Sequence, residues 1–422
     1  MVEAIRQPID AVIEQIAAQS KLPLEQAVPL PVQAYWDPEF YEREIEQIFR
    51  SDWVCVSRVE DVPAPGDYLA VDLGGEPMIV VRGQDDVVRV LSRVCRHRYV
   101  DLLGGKTSPD KRARGCAEWF ECPYHSWTYR PDGSLLNAPE MLERPDFDRH
   151  DYGLRPIRHE IWQGFVFVNI DGQAEPLDMS GFEQILDQYD FTGWKTADVV
   201  DWGESTVNWK IMVENYAECY HHIGIHKETL QPLWPIGTVE LGEPTGRDWF
   251  YSRMKAGPET ASGEEDGYLQ QPSWLPAHPA LSAYQRSQSL LMVKFPMFMI
   301  VPSPDITFWF KAIPTGPETH RLEVALMVPE QHFGVENFEE SVKEAADFFR
   351  TFQAEDSSIN EYVQTTTRSM NARGGVLHRH EQAIWQMQKY LAWRLAGVDS
   401  DAPVADDDVA AAQGAAVLAA TS

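Results

Sequence analysis

Val94-Cys95-Arg96-His97-Arg98 and Glu121-Cys122-Pro123-Tyr124-His125-Ser126-Trp127 decide how this chain is read. Each short motif joins one thiol to one imidazole, C-x-H first and C-x-x-H second, with 24 residues between His97 and Cys122. Two soft thiolates and two imidazoles hold either zinc or a [2Fe–2S] cluster in which two Cys bind one iron and two His the other. Zinc modules usually pair like with like, Cys with Cys and His with His. Here each motif is mixed. The flanking sequence is β-like, with apolar runs at Tyr68–Val71, Met78–Val81 and Val87–Leu91 separated by Gly-, Pro- and Asp-containing breaks. The run Phe165–Ile170 reads as a closing strand, which predicts a small antiparallel β domain over residues 51–170.

Five cysteines, an odd and sparse set, exclude a disulfide scaffold and suit a metal site in a reducing compartment. Cys116 lies between the two motifs, but its spacing to His125 does not fit them. Cys55, Cys116 and Cys219 are therefore expected to be core thiols.

A second constellation lies in Asn208–His226, NWKIMVENYAECYHHIGIH. Residues 208–222 read as helical. His221 and His226 form an H-x4-H pair, which converges poorly on an unbroken helix, and Gly224 is expected to break it. Glu218, three residues before His221, falls on the same helical face. Two His and one carboxylate make the facial triad of non-haem Fe(II) oxygenases, with open positions for oxygen and substrate. The carboxylate must come from downstream. Asp356 is the choice, Glu355 the alternative, and Asp347 and Glu361 are weaker candidates.

Around these motifs the chain reads as α+β. Residues 9–19 form a short amphipathic helix, and Asp37 caps a second helix running to about Phe49. Strands are expected at 289–301, 305–313 and 320–328, forming an antiparallel sheet, and helices at 337–369 and 380–396. The expected organisation is N-terminal helices over 1–50 packing on the catalytic domain, a cluster domain over 51–170, that catalytic domain over 171–398, and a disordered Ala- and Asp-rich tail over 399–422. The polar segment 257–267 reads as a mobile loop or an inert surface insertion. Of 422 residues, 36 are basic and 65 acidic, giving a net charge of −29. Residues 399–422 hold five Asp and no basic residue, and without them the charge is −24. Such acidity disfavours nucleic acid and anionic membrane as partners. With no long apolar run and no signal-like N-terminus, a cytoplasmic protein is expected.

C-x-H…C-x-x-H followed by E-x2-H-x4-H and a late acidic residue resembles the α subunit of Rieske non-haem iron oxygenases, over roughly residues 35–396. The wording ENYAECYH is similar to choline and glycine-betaine monooxygenases and to many aromatic-ring-hydroxylating subunits. Two departures stand out. The segment around Lys106–Arg114 (KTSPDKRAR) is longer than usual and reads as a surface insertion, and Ser126 stands where Gly is usual. The resemblance implies a [2Fe–2S] cluster on Cys95, His97, Cys122 and His125, and a mononuclear Fe(II) on His221, His226 and Asp356. It implies electrons from NAD(P)H through a reductase, with or without a ferredoxin. It also implies a homotrimer in which Glu218 bridges the cluster of one subunit to the iron of the next.

The substrate is less legible. Trp234, Trp249, Phe250, Tyr251, Trp274, Phe308, Trp309 and Phe310 supply walls for an aromatic ring or a cage for a quaternary ammonium group. Arg247 and Arg286 are candidates for binding a carboxylate, with surface ion pairing as the alternative. Hydroxylation of a small aromatic compound is the first reading and oxidation of a methylated amine the second. A non-enzymatic iron–sulfur carrier or zinc-binding interaction module is the remote one, since a carrier needs no second, open iron site.

Overall fold

Between Asp67 and Ser92, runs of β-branched residues are broken by Gly74-Gly75 and by the turn 83–87, as an antiparallel meander requires. Both glycines have positive φ, 59° and 79°, and form the two-residue turn joining Asp67–Leu73 to Glu76–Arg82. The computed structural model describes residues 6–104, 114–186, 189–243 and 246–399. The chain divides into two units, one comprising Ile45–Asp178 and the other Met1–Glu44 with Met179–Ser422. The expected insertion 106–114 and the expected tail lie almost entirely outside the described residues.

The unit Ile45–Asp178 is built mainly of β-strands, with short helical turns between them. One sheet runs in the order Val88–Ser92, Glu76–Arg82, Asp67–Leu73, Arg114–Cys116. A second runs Val54–Arg58, Phe165–Asn169, Arg158–Trp162, and a third Phe120–Glu121, Thr128–Tyr129, Leu135–Asn137. Ala70, Ile79, Val81 and Leu91 pack into one core with Cys95, Cys122, Trp127 and Tyr129. Cys219 of the other unit is buried and Cys55 half-buried, but Cys116 is exposed. The expectation of a core thiol therefore fails for Cys116. Its three-residue strand is a solvent-facing edge, and Gly66 with Pro65 is what lies against its sulfur.

The other unit is built on a seven-stranded antiparallel sheet, in the order Trp194–Ser205, Thr319–Pro329, Thr307–Gly316, Phe298–Val301, Gln288–Lys294, Trp249–Lys255, Val239–Leu241. The strand expected over 289–301 is two strands joined by a turn at Phe295–Met297. The segment expected to be a mobile loop carries a hairpin, Gly263–Glu265 with Tyr268–Gln270. Its turn is Asp266-Gly267, both at positive φ, a pair suited to such turns.

Helices Ile9–Gln19, Pro38–Glu44, Trp209–Tyr216, Phe338–Thr366 and Gln382–Ala396 belong to this unit. Asp37 caps Pro38–Glu44 by accepting from the Glu39 amide at 2.9 Å. The first helix packs on the last, and the Trp385 indole donates to the Leu22 carbonyl at 2.9 Å. The helix Trp209–Tyr216 is pinned from below by a fully buried pair, Lys210 Nζ to Glu44 Oε1 at 2.6 Å. Burial pushes the Glu44 carboxyl up and the Lys210 ammonium down, each partly offset by the other's charge. In Phe338–Thr366 the buried stripe is Val342, Ala345, Ala346 and Phe349, and then becomes Gln353, Asp356, Asn360 and Gln364. Among the described residues, no helix is long and apolar enough to cross a membrane.

Candidate metal centres and the adjoining cavity

Two loops of the β unit repeat one backbone pattern. The Cys95 amide donates to the Val100 carbonyl at 2.8 Å, and the Tyr99 amide returns to Cys95 at 3.1 Å. The Cys122 amide donates to Trp127 at 2.8 Å, and the Ser126 amide returns to Cys122 at 3.0 Å. The fifth residue of each loop takes positive φ, 61° at Tyr99 and 56° at Ser126. This conformation explains why glycine suits position 126, since an L side chain is strained there.

The loops face the same small region. The His97 and His125 rings lie 4.6 Å apart, and His97 stacks on Trp127 at 4.8 Å. Cys95 and Cys122 are 1% and 2% exposed. Burial and the neighbouring Cys95 push the Cys122 thiol up, so thiolates here need a compensating cation. Nδ1 of His97 and Nδ1 of His125 are buried without a hydrogen-bond partner. A buried imidazole nitrogen with nothing to bond is costly unless a metal takes it. The donor set therefore fits a group held by two sulfurs and two Nδ1 atoms.

In the other unit the helix Trp209–Tyr216 is capped by Asn208, whose side chain accepts from the Lys210 amide at 2.8 Å. The helix expected over 208–222 stops at Tyr216, and a separate 3-10 turn, Tyr220–Ile223, follows. Glu218 therefore reaches His221 as a turn residue and not along a helical face. One of its oxygens accepts the Tyr220 and His221 amides, and the other meets His221 Nδ1 at 2.5 Å. Gly224 has no left-handed φ; the break comes earlier, at Ala217–Cys219.

His221, His226 and Asp356 place one ligand atom each within 4.8 Å of one another. Asp356 Oδ1 lies 2.9 Å from His226 Nε2 and 3.7 Å from His221 Nε2. Glu355 turns to the other side of His226 and meets Nδ1 at 2.6 Å, while accepting from the Thr229 hydroxyl at 2.7 Å. Each histidine thus has a carboxylate on Nδ1 and presents Nε2 to the shared centre, the arrangement that orients metal-binding imidazoles. Asp347 is drawn into surface pairs with Lys343 and Arg350, and Glu361 is exposed. Burial lowers the His221 proton affinity, but the charge and hydrogen bond of Glu218 outweigh it and raise the group. Burial holds His222, the intervening ring, well below its usual range and therefore neutral.

A cavity of about 670 Å³ opens onto this centre. Phe308 and Phe310 reach it from alternate positions of one strand, and Phe348, Phe352 and Asp356 from successive turns of the long helix. Trp234 and Trp274 close it. Gln271 accepts from the Trp234 indole at 2.8 Å, and buried Asp305 accepts from the Trp274 and Leu275 amides at 2.7 and 3.0 Å. Of the aromatics expected in the pocket, Trp249, Phe250, Tyr251 and Trp309 do not line it. Arg247 and Arg286 pair with Asp399 and Glu265 and are also absent from its wall. Sequence reasoning missed Tyr216, Phe348, Phe352 and Gln353. The signal was present in the helical spacing 348–352–356 and in the switch from apolar to polar at Gln353.

The profile of the Rieske [2Fe-2S] domain matches residues 52–148, and that of the ring hydroxylating alpha subunit (catalytic domain) matches residues 186–397. The glycine betaine monooxygenase oxygenase subunit of Chromohalobacter salexigens is 36% identical over 210 residues, 48% of this chain and 44% of that protein. The carnitine monooxygenase oxygenase subunit of Escherichia coli (strain K12) is 31% identical over 208 residues, 47% of this chain and 52% of that protein. The chain thus spans about half the length of the curated relatives it matches. Among solved structures, a quaternary ammonium Rieske monooxygenase matches with TM-score 0.72 and 23% identity, covering 93% of this chain and 99% of that one. Naphthalene 1,2-dioxygenase from Rhodococcus sp. matches with TM-score 0.72 and 18% identity, covering 93% and 98%. At these identities the structural likeness speaks for the fold.

Proposed function

The chain belongs to the family of ring-hydroxylating oxygenase α subunits, and from that premise we propose that it is a terminal oxygenase that oxidises a methylated amine. It acts on an N-methyl group or the neighbouring carbon, using O2 and electrons passed from NAD(P)H by a separate reductase, with or without a ferredoxin. The observation that carries this reading is the aromatic cavity set against the His221, His226, Asp356 centre. This reverses the order expected from the sequence. Relatives named for glycine betaine and carnitine support an amine better than a ring compound. Hydroxylation of a small aromatic compound is the second reading, and the phenylalanines of the cavity wall favour it.

Cofactors of this family are a [2Fe–2S] cluster and one mononuclear iron. When bound, they supply single electrons and oxygen activation. Cys95, His97, Cys122 and His125 are assigned to the cluster, and His221, His226 and Asp356 to the iron. The remaining work belongs to the chain's own side chains. Glu218 and Glu355 fix ring orientation through Nδ1, and Trp234, Trp274 and the phenylalanines exclude water and hold the substrate. Glu218 is assigned to electron transfer between copies of a homotrimer and not to iron binding. The acidic surface is assigned to steering a basic face of the redox partner. Glu218→Gln should still take up three irons per chain at saturating iron, the weaker support of His221 costing affinity as at Glu355, and should lose turnover, measured as product formed with a surrogate reductase, NADH and O2. Loss of the mononuclear iron in that variant would contradict the assignment.

A further inference from the structure

Among the described residues, the cavity wall contains neither Lys nor Arg. Its charged members are Glu218 and Asp356, with Glu355 standing behind His226. The remaining polar groups are small in number and uncharged, chiefly Asn215 and Gln353, and the Tyr216 hydroxyl is spent on the Met292 carbonyl at 2.9 Å. The carboxylates of Asp356, Glu218 and Glu355 thus gather on the histidine side of the space. Trp234, Trp274, Phe308, Phe310, Phe348 and Phe352 join Tyr216 in facing the space. Their faces carry negative potential; the Trp234 indole donates to Gln271, and the Trp274 backbone amide donates to Asp305. A cation is attracted by every part of this wall. A carboxylate inside it is desolvated, unpaired and set beside like charge.

Resting on the reading of the chain as an amine oxygenase, we infer that its substrate is a quaternary or tertiary methylammonium compound carrying no carboxylate, with a hydroxyl, alkyl or aryl group in place of the acid. The relatives named for glycine betaine and carnitine act on compounds that do carry one, so the prediction separates this chain from them. Asn215 and Gln353 suit a neutral hydroxyl or ether oxygen, and the phenylalanine side suits hydrocarbon.

The test uses the iron-loaded full chain and two measurements on one panel: choline, benzyltrimethylammonium, glycine betaine, L-carnitine, and 3,3-dimethyl-1-butanol as the uncharged counterpart of choline. Binding is followed by quenching of tryptophan fluorescence, and oxidation by mass analysis of product with a surrogate reductase, NADH and O2. The expected result is that choline and benzyltrimethylammonium bind at least about tenfold more tightly than the two carboxylated compounds and are the ones oxidised. Trp274→Leu should weaken choline by about 3- to 30-fold and the uncharged alcohol by less; Trp234→Leu serves as the second variant. Preference for glycine betaine or L-carnitine overturns this inference and leaves the amine oxygenase reading standing. Equal binding of choline and the uncharged alcohol overturns the role of charge. Oxidation of an arene such as indole, with no methylammonium compound bound or oxidised, overturns both.

Discussion

The two metal centres solve one problem in opposite ways. In the β unit, His97 and His125 keep Nδ1 buried and bare, and four ligands come from two loops that copy each other's hydrogen bonds. In the sheet-and-helix unit, His221 and His226 have Nδ1 engaged by Glu218 and Glu355, and it is Nε2 that faces the centre. The first site is a rigid local cradle that leaves nothing open. The second is assembled across 130 residues, leans on neighbouring carboxylates for its geometry, and opens on a cavity. A site built from one local pattern depends on its loops; a site built at long range depends on whatever holds its elements together.

That contrast can be broken on purpose. The largest effect is expected from Lys210→Met, which leaves Glu44 buried without its partner and should cost about 3–5 kcal/mol in denaturant unfolding of the sheet-and-helix unit. The mononuclear iron should become labile, while the visible absorption of the cluster survives until the β unit itself unfolds. Simultaneous loss of both signals would mean that the two sites share one support. Glu355→Gln removes the charge behind His226 and should weaken iron affinity by about 10- to 100-fold with the cluster unchanged, as read by competition with a chelator. An unchanged affinity would show that Glu355 is a bystander.

The smallest effect sharpens the cradle side. Ser126→Gly relieves a positive φ of 56° and should raise the stability of the β unit by about 1 kcal/mol, measured by chemical denaturation. A loss of stability would show that the Ser126 side chain contributes something the backbone does not reveal.

The same contrast explains what the sequence disclosed. The cradle was legible because its four candidate ligands fall in two motifs of three and four residues, and the strands around it alternate plainly. The His pair and Asp356 were legible as residue types. How Glu218 reaches His221 was not, because the turn after Tyr216 depends on a carboxylate folding back on two amides and leaves no periodic trace. Glu355 and Asp356 are neighbours that meet opposite nitrogens of His226, and only the packing of the long helix separates them. The cavity wall was half visible. Phe308 and Phe310 announced themselves in an aromatic run, whereas Phe348 and Phe352 lay in an ordinary amphipathic helix. The hairpin at Asp266-Gly267 was missed because its polar strands carry no hydrophobic alternation. Cys116 shows that an unassigned cysteine is not thereby a buried one.

Metal and sulfide analysis of three proteins tests the account most directly. Wild-type chain should hold three irons and two acid-labile sulfides, His226→Ala two irons with both sulfides retained, and Cys122→Ser one iron with no sulfide. Zinc in either site of the wild-type chain, or loss of all iron from either single variant, would contradict the existence of two separately built iron centres.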